Sequence, residues 1–392
     1  MTETMTGIPL EQDYVELREA VAKICADFPG DYWRGLEKND DYPTDFINAM
    51  TKHGYLASLI PEEYGGSGLP LRAATVILET IHATDCSAAA CHAQMYTMGT
   101  VLRHGNAEQK QQYLPGIASG ELRLQAFGVS EPTTGSDTTQ LQTRATKDGD
   151  SYIVNGQKIW TSRALYSDLM LLLARTTPAD EVKKRTDGIS TFLIDLREAK
   201  GNGLEILPIE TMINHHTTSV HFDDLRIPAS CLIGEEGRGF RYILDSMNAE
   251  RTLLAGESLG NARYFIRRAV EYANERIVFG RPIGQNQGIQ FPIARAYAET
   301  EAADMMIRKA AALFDAQEPA GAEANMARLL SAEAAWNAAE ACFDTFGGFA
   351  FAREYDIERK WREARLARTA PISTNLVLTH IAQHVLGMPR SY

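Results

Sequence analysis

The chain has 392 residues, enough for two or three domains with filled cores, and its 44% hydrophobic and 23% charged residues are ordinary for a soluble globular protein. A net charge of −12 argues against nucleic acid or an anionic membrane as a partner, because nothing offsets phosphate repulsion over most of the surface. The five cysteines (Cys25, Cys86, Cys91, Cys231, Cys342) show no C-x-x-C and no metal-ligand spacing, so buried free thiols in a reducing compartment are expected.

The opening M-T-E-T-M-T-G-I-P has neither an apolar core nor an Arg-rich amphipathic pattern, and the closing Arg-Ser-Tyr is not a peroxisomal address. With no run long enough to span a bilayer, a cytoplasmic location is expected. Residues 10–120 read as helical. Tyr14, Leu17, Val21, Ile24, Cys25 and Phe28 form one apolar stripe, which Phe46, Met50 and Tyr55 continue after Tyr42-Pro43. A Pro- and Gly-rich loop at 59–70 precedes a helix over 71–83. Residues 86–104 are small and nearly uncharged, which predicts a helix buried on most sides. Asn106 is placed to cap the next one.

Near Arg123 the period changes. Residues 124–129 read as a strand, and 152–160 as a hairpin turning at Asn155-Gly156. Further strand-like runs at 169–174, 191–196, 204–209 and 219–222 predict a middle β-barrel or sandwich. From Gly237 the helical period returns. Residues 240–247 lead into one long amphipathic helix through Arg276, carrying Ala255, Leu259, Ala262, Ile266, Ala269, Val270 and Ala273 on one stripe. Helices over 291–314, 322–346 and from Pro371 to about Leu386 complete a four-helix bundle. The expected architecture is an N-terminal α-helical domain (1–122), a middle β-domain (123–236) and a C-terminal helical bundle (237–392).

Three stretches carry polar groups in useful combinations. F-G-V-S-E-P-T-T-G-S-D at 127–137 runs from a strand into a turn whose N–H and hydroxyl donors suit an anion or a ring edge, or merely a solvated linker. Trp160-Thr161-Ser162 sets an indole two residues from a hydroxyl; an isolated pair of this kind is more often a core Trp. Arg276, Phe279 and Gln287 gather a cation, an aromatic ring and an amide around a turn, either for phosphate or as a salt-bridged helix end.

In order and spacing, P-E-E-Y-G-G-S-G (61–68), the 127–137 stretch, Y-I-V-N-G-Q-K-I-W-T-S (152–162), E-R-T-L-L-A-G (250–256), F-G-R-P-I-G-Q-N-Q (279–287) and F-G-G-F (346–349) resemble the acyl-CoA dehydrogenase family over essentially the whole chain. That resemblance implies FAD, bound without a Rossmann fingerprint. Phe127, Val129 and Ser130 match positions lining the isoalloxazine ring, and Ser136 one shared by cofactor and substrate. Trp160 would cover the ring, and Ser162, where Thr is more usual, would reach flavin N5. Arg276, Phe279 and Gln287 match residues that reach the FAD of a neighbouring subunit, and Gly347-Gly348 would approach the same cofactor. Asp344 replaces the usual Gln before Phe-Gly-Gly. The resemblance also implies a homotetramer, an acyl-CoA substrate and an electron-transferring flavoprotein as acceptor.

The usual base of the family is a Glu about ten residues past W-R-D-A-R. Here W-R-E-A-R ends at Arg365 and the register places Pro371 at that position, which has no proton chemistry. Some members carry the base on the long helix, immediately before its Arg, and Glu250-Arg251 resembles that variant; a plain salt-bridging role is the alternative. Asn248, Arg251 and Ser136 then match substrate-side positions, and Ser373 a residual hydrogen bond to the flavin. His92, with Gln94 nearby, either gives the acyl pocket a polar end or is a satisfied core histidine. His215-His216 lacks carboxylate or Cys partners and is not read as a metal site. Dehydrogenation of a short, branched or polar acyl thioester is the expected reaction. A flavin monooxygenase, oxidase or lyase on the same fold is the alternative.

Overall fold

The structure, a computed structural model, describes residues 14–390. The reading of residues 1–13 and the final Ser391-Tyr392 lie outside these. Helices α1 (Val15–Cys25), α2 (Gly30–Asn39), α3 (Thr44–Lys52), α4 (Leu71–His82), α5 (Ala89–His104) and α6 (Ala107–Ser119) come first. They are followed by β1 (Leu124–Gly128), β2 (Arg144–Asp148), β3 (Ser151–Ser162), β4 (Leu169–Arg175), β5 (Ile189–Asp195), the one-turn α7 (Leu196–Ala199), β6 (Leu204–Pro208), β7 (Thr217–Pro228) and β8 (Leu232–Ile233). Then come α8 (Gly239–Glu275), a ribbon of β9 (Ile277–Val278) and β10 (Arg281–Pro282), α9 (Gln287–Asp315), α10 (Gly321–Phe346), α11 (Ile357–Leu366) and α12 (Thr374–His380). Among the described residues no helix is long and apolar enough to cross a membrane.

Packing divides the chain into two compact units that interleave in sequence. A sheet unit takes Tyr42–Leu69 and Ala89–Met247, and a helical unit takes the described residues up to Asp41, Pro70–Ala88 and those from Asn248 onward. In the sheet unit eight strands form one mixed sheet, ordered β6-β7-β3-β2-β4-β5-β8, with β1 added parallel to β4. Tyr152, Val154, Leu172, Phe192 and Val220 fill one of its cores. Met98, Leu114 and Ile117 of α5 and α6 pack with Leu124, Leu169 and Leu171 in another.

The expected Asn155-Gly156 turn is not formed. The β2–β3 hairpin closes one strand earlier, with Asp148 opposite Ser151, and β3 runs unbroken past Asn155 along β7 with a register shift between Val154 and Gly156. Gly156 serves that bulge: its φ is 144° and a Cβ there would lie 2.7 Å from Thr143 Cα.

In the helical unit α8, α9 and α10 are the long helices, of 37, 29 and 26 residues. The expected fourth helix from Pro371 to about Leu386 is α12, of 7 residues and extended by a π turn over Ile381–Val385, while α11, of 10 residues, precedes Pro371 and was not expected. Alanines 324, 327, 334, 335 and 338 are buried along α10 and let its neighbours approach closely. Gly260 does the same for α8, where a Cβ would meet Glu79 O of α4 at 2.2 Å. Ala255, Leu259, Ala262, Ala269 and Ala273 are buried as their period predicts, but Val270 is 43% exposed. It sits one position past Ala269, about 100° round the helix, on the solvent side.

Candidate active site

The sheet unit brings together the N-terminal half of the candidate residues. Phe127 and Val129 leave the end of β1 half-buried, packed against Leu141, Leu173, Ile189 and Ile243. Ser130 is half-buried and its carbonyl accepts from Ile159 N–H of β3, which ties the turn to the strand carrying Trp160 and Ser162. Beneath that turn lies a buried ion pair. Lys158 Nζ donates to Glu131 Oε1 at 2.8 Å and to Val129 O at 3.1 Å, while Glu131 also accepts from the Gln142 and Thr143 amides. Burial pushes the Lys158 ammonium down to about 8 against the pull of Glu131. Burial alone would raise the Glu131 carboxyl, but Lys158 and the amide bonds outweigh it and hold it below its ordinary value.

Trp160 stands 59% exposed with φ 62°, beside a register shift between Lys158 and Thr161. The bulge interrupts the pleat, so simple alternation does not set the side on which the half-buried Ser162 lies. Ser136 is exposed on the loop. His92 stacks on Tyr96 with centroids 5.5 Å apart, and Tyr96 meets Phe127 edge-on at 6.0 Å. Gln94 does not offer a polar pocket end. Its Oε1 accepts from Leu124 N–H and its Nε2 donates to the carbonyls of Ile117 and Leu122, so its amide is spent joining α5 to α6 and β1. His216 lies edge-on to Tyr166, centroids 4.8 Å apart.

In the helical unit Glu250 is 4% exposed on α8. Two guanidinium groups feel its charge, Arg251 next to it and Arg328 on α10. A buried carboxylate is costly without such compensation. Burial pushes Arg328 down to about 10 against the charges of Glu257 and Glu250. Arg328 also donates to the carbonyls of Ala367 and Ala370, and thereby pins the turn that leads into Pro371. Arg251 Nη1 donates to Asn248 Oδ1 at 3.1 Å. Ser373 caps α12, its Oγ accepting from Leu376 N–H at 3.4 Å, so this hydroxyl has a local structural partner. The exposed Pro371 contributes no titratable group.

At the far end of α8 the remaining candidates lie on the surface. Arg276 is exposed, its guanidinium carbon 5.8 Å from the ring centre of Phe349, which joins it to the Gly347-Gly348 turn. Gly347 has φ 57°, and neither glycine has anything within 4 Å of an added Cβ. Phe279 is fully exposed at 101% with φ 51°, and Gln287 is exposed at the first turn of α9.

Arg328 and the Lys158–Glu131 pair were missed by motif reading. Arg328 had a signal: it lies on the same face of α10 as Ala324, Ala327 and Ser331, where a cation must be buried.

Models of three domains match the chain in succession: "Acyl-CoA dehydrogenase, N-terminal domain" over residues 11–121, "middle domain" over 126–225 and "C-terminal domain" over 237–386. A Mycobacterium bovis protein named acyl-CoA dehydrogenase fadE12 is 33% identical over 392 residues, covering 99% of this chain and 100% of its own. The structure of a glutaryl-coenzyme A dehydrogenase–glutaryl-CoA complex superposes with a TM-score of 0.89 at 27% identity, covering 97% of each chain. A structure titled as the FAD complex of PigA gives 0.89 at 26% identity, covering 97% of this chain and 98% of that one. With a helical, β, helical order and full-length relatives of this kind, the chain belongs to the acyl-CoA dehydrogenase family.

Proposed function

We propose that the chain is an FAD-dependent acyl-CoA dehydrogenase that converts an acyl thioester to its 2-enoyl thioester, with Glu250 as the base. Its residues fit a flavin dinucleotide: an uncovered indole at Trp160, a β1 turn tied to β3 by the Lys158–Glu131 pair, and an exposed guanidinium beside a glycine turn with room for a close approach. Phe127, Val129, Ser130, Ser136, Trp160, Ser162 and Ser373 are assigned to the flavin of the same chain. Arg276, Phe279, Gln287, Gly347 and Gly348 are assigned to that of a neighbouring copy. FAD, when bound, supplies the acceptor for the β-hydride.

Glu250 removes the α-proton. The observation that carries this assignment is a buried carboxylate compensated by Arg251 and Arg328, in a chain whose position 371 is an exposed proline. Asn248, Arg251, Ser136 and His92 are the substrate-side residues. The acyl group is short, branched or polar. Electrons pass to an electron-transferring flavoprotein, the assembly is a homotetramer, the location is cytoplasmic, and the domains are 1–122, 123–236 and 237–392.

Anaerobic titration with a series of acyl-CoA thioesters tests the reading. Bleaching of the flavin with release of enoyl product supports it. Bleaching only by an external reductant, followed by rapid O₂ consumption, assigns the chain to oxidase or monooxygenase chemistry instead. Glu250→Gln should keep FAD bound while lowering the rate of substrate reduction by at least about 10³-fold, the scale of a lost general base. Near-normal reduction would remove Glu250 from the role.

A further inference from the structure

Within the helical unit a cavity of 240 Å³ opens among α8, α10 and α12. Arg251 contributes from α8, Asn325 from α10, and Thr379, His380, Gln383 and His384 from α12 and its π turn. Ile372 and Leu376 supply apolar wall, and none of the lining residues is acidic. Asn325 is 2% exposed. Its Nδ2 donates to Gly321 O at 2.8 Å, yet its buried Oδ1 has no hydrogen bond among the described residues. A buried carbonyl oxygen left in that state calls for a donor. Arg251 supplies the opposite need, a fork that takes a carboxylate through parallel N–H bonds.

Burial, then His384, then Arg251 push the His380 imidazole below its ordinary value. It is therefore neutral at physiological pH, and Arg251 is the permanent cation of the cavity. One such cation suits a monoanion better than a phosphate dianion, and a ligand made only of acceptors leaves Asn325 Oδ1 unmet.

We infer that this cavity binds a small carboxylate that also carries an O–H or N–H donor, such as a hydroxy- or amino-acid group, with the carboxylate on Arg251 and the donor on Asn325. The volume, about eight waters' worth, matches a group of that size. The group arrives either as a free small acid or as the end of an acyl thioester. The second source rests on the reading of Glu250, which neighbours Arg251 on α8.

Calorimetry on the FAD-loaded protein separates the two sources, and using Glu250→Gln for the thioesters makes the result independent of turnover. The free arm compares 3-hydroxybutyrate, butyrate and inorganic phosphate. The thioester arm compares the CoA thioester of a hydroxy-dicarboxylic acid with its methyl-ended analogue. At least a tenfold preference for the hydroxy-carboxylate in either arm is expected and assigns the source. Asn325→Leu should abolish it, and His384→Ala, a change at an exposed position, should weaken it. No preference in either arm, or a preference that survives both substitutions, overturns the inference. Loss of catalysis in Glu250→Gln bears only on the base, because every readout here is binding.

Discussion

Lys158 and Glu131 show how two residues given no role within their motifs fasten one motif to the other. The pair lies under the 127–137 turn, and each charge is satisfied by the other and by backbone groups. The linkage has a definite sign. Because the folded Glu131 carboxyl sits below its ordinary value of 4.5, its contribution is complete above that pH and is lost as the pH falls through the lower folded value. Urea midpoints should therefore fall between pH 5 and 3, and Glu131→Gln should flatten that slope. The same variant should be less stable at pH 7 by about 3 kcal/mol, because Lys158 is left buried and unpaired. Midpoints that match the parent at every pH would dismiss the pair as an anchor. In the helical unit the buried Arg328 feels the charges of Glu257 and Glu250, while its hydrogen bonds go to backbone carbonyls. Glu250 was legible from its place before Arg251. For Arg328 the helical face showed that a cation is buried, but not its partners, because Ala367 and Ala370 offer only backbone carbonyls 39 and 42 positions away.

Elements followed from period wherever one periodic face was buried. The strands over 169–174 and 191–196 and the helices of the bundle appear close to their expected bounds, since a buried strand reads as a continuous apolar run and a long helix as a stripe. The failures have local causes. Asn155-Gly156 carries the sequence of a tight turn, but pairing with β7 along the length of β3 outweighs it, and the glycine is used for a bulge. The last helix starts at Thr374, after the Ser373 cap, instead of at Pro371, and the short α11 ahead of it was too brief to show a stripe. Ser373→Ala should cost about 1 kcal/mol, seen as faster amide exchange confined to α12 and its π turn. In α8, Gly260→Ala tests close helix contact. Propensity alone favours alanine by about 1 kcal/mol. A Cβ at 2.2 Å from a backbone oxygen of α4 should reverse that and destabilise by about 2 kcal/mol. A rise in Tm on this substitution would show that the two helices have room to spare.

For the whole molecule, the helical, β, helical order was readable, but the interleaving was not. Tyr42–Leu69 packs with the sheet and Pro70–Ala88 with the long helices, a division that depends on contacts far apart in the chain and leaves no trace in composition. At this scale the exposed end of α8 makes its own prediction. Arg276→Ala should leave the far-ultraviolet spectrum unchanged while flavin content after gel filtration falls several-fold, and full flavin retention would refute its assignment to the cofactor.

Phe279 extends the point. A phenyl ring wholly in water on a two-strand ribbon gains nothing for the isolated chain. If a second copy covers it, cofactor retention becomes a matter of mass action, with yellow colour held in concentrated solution and released progressively on dilution.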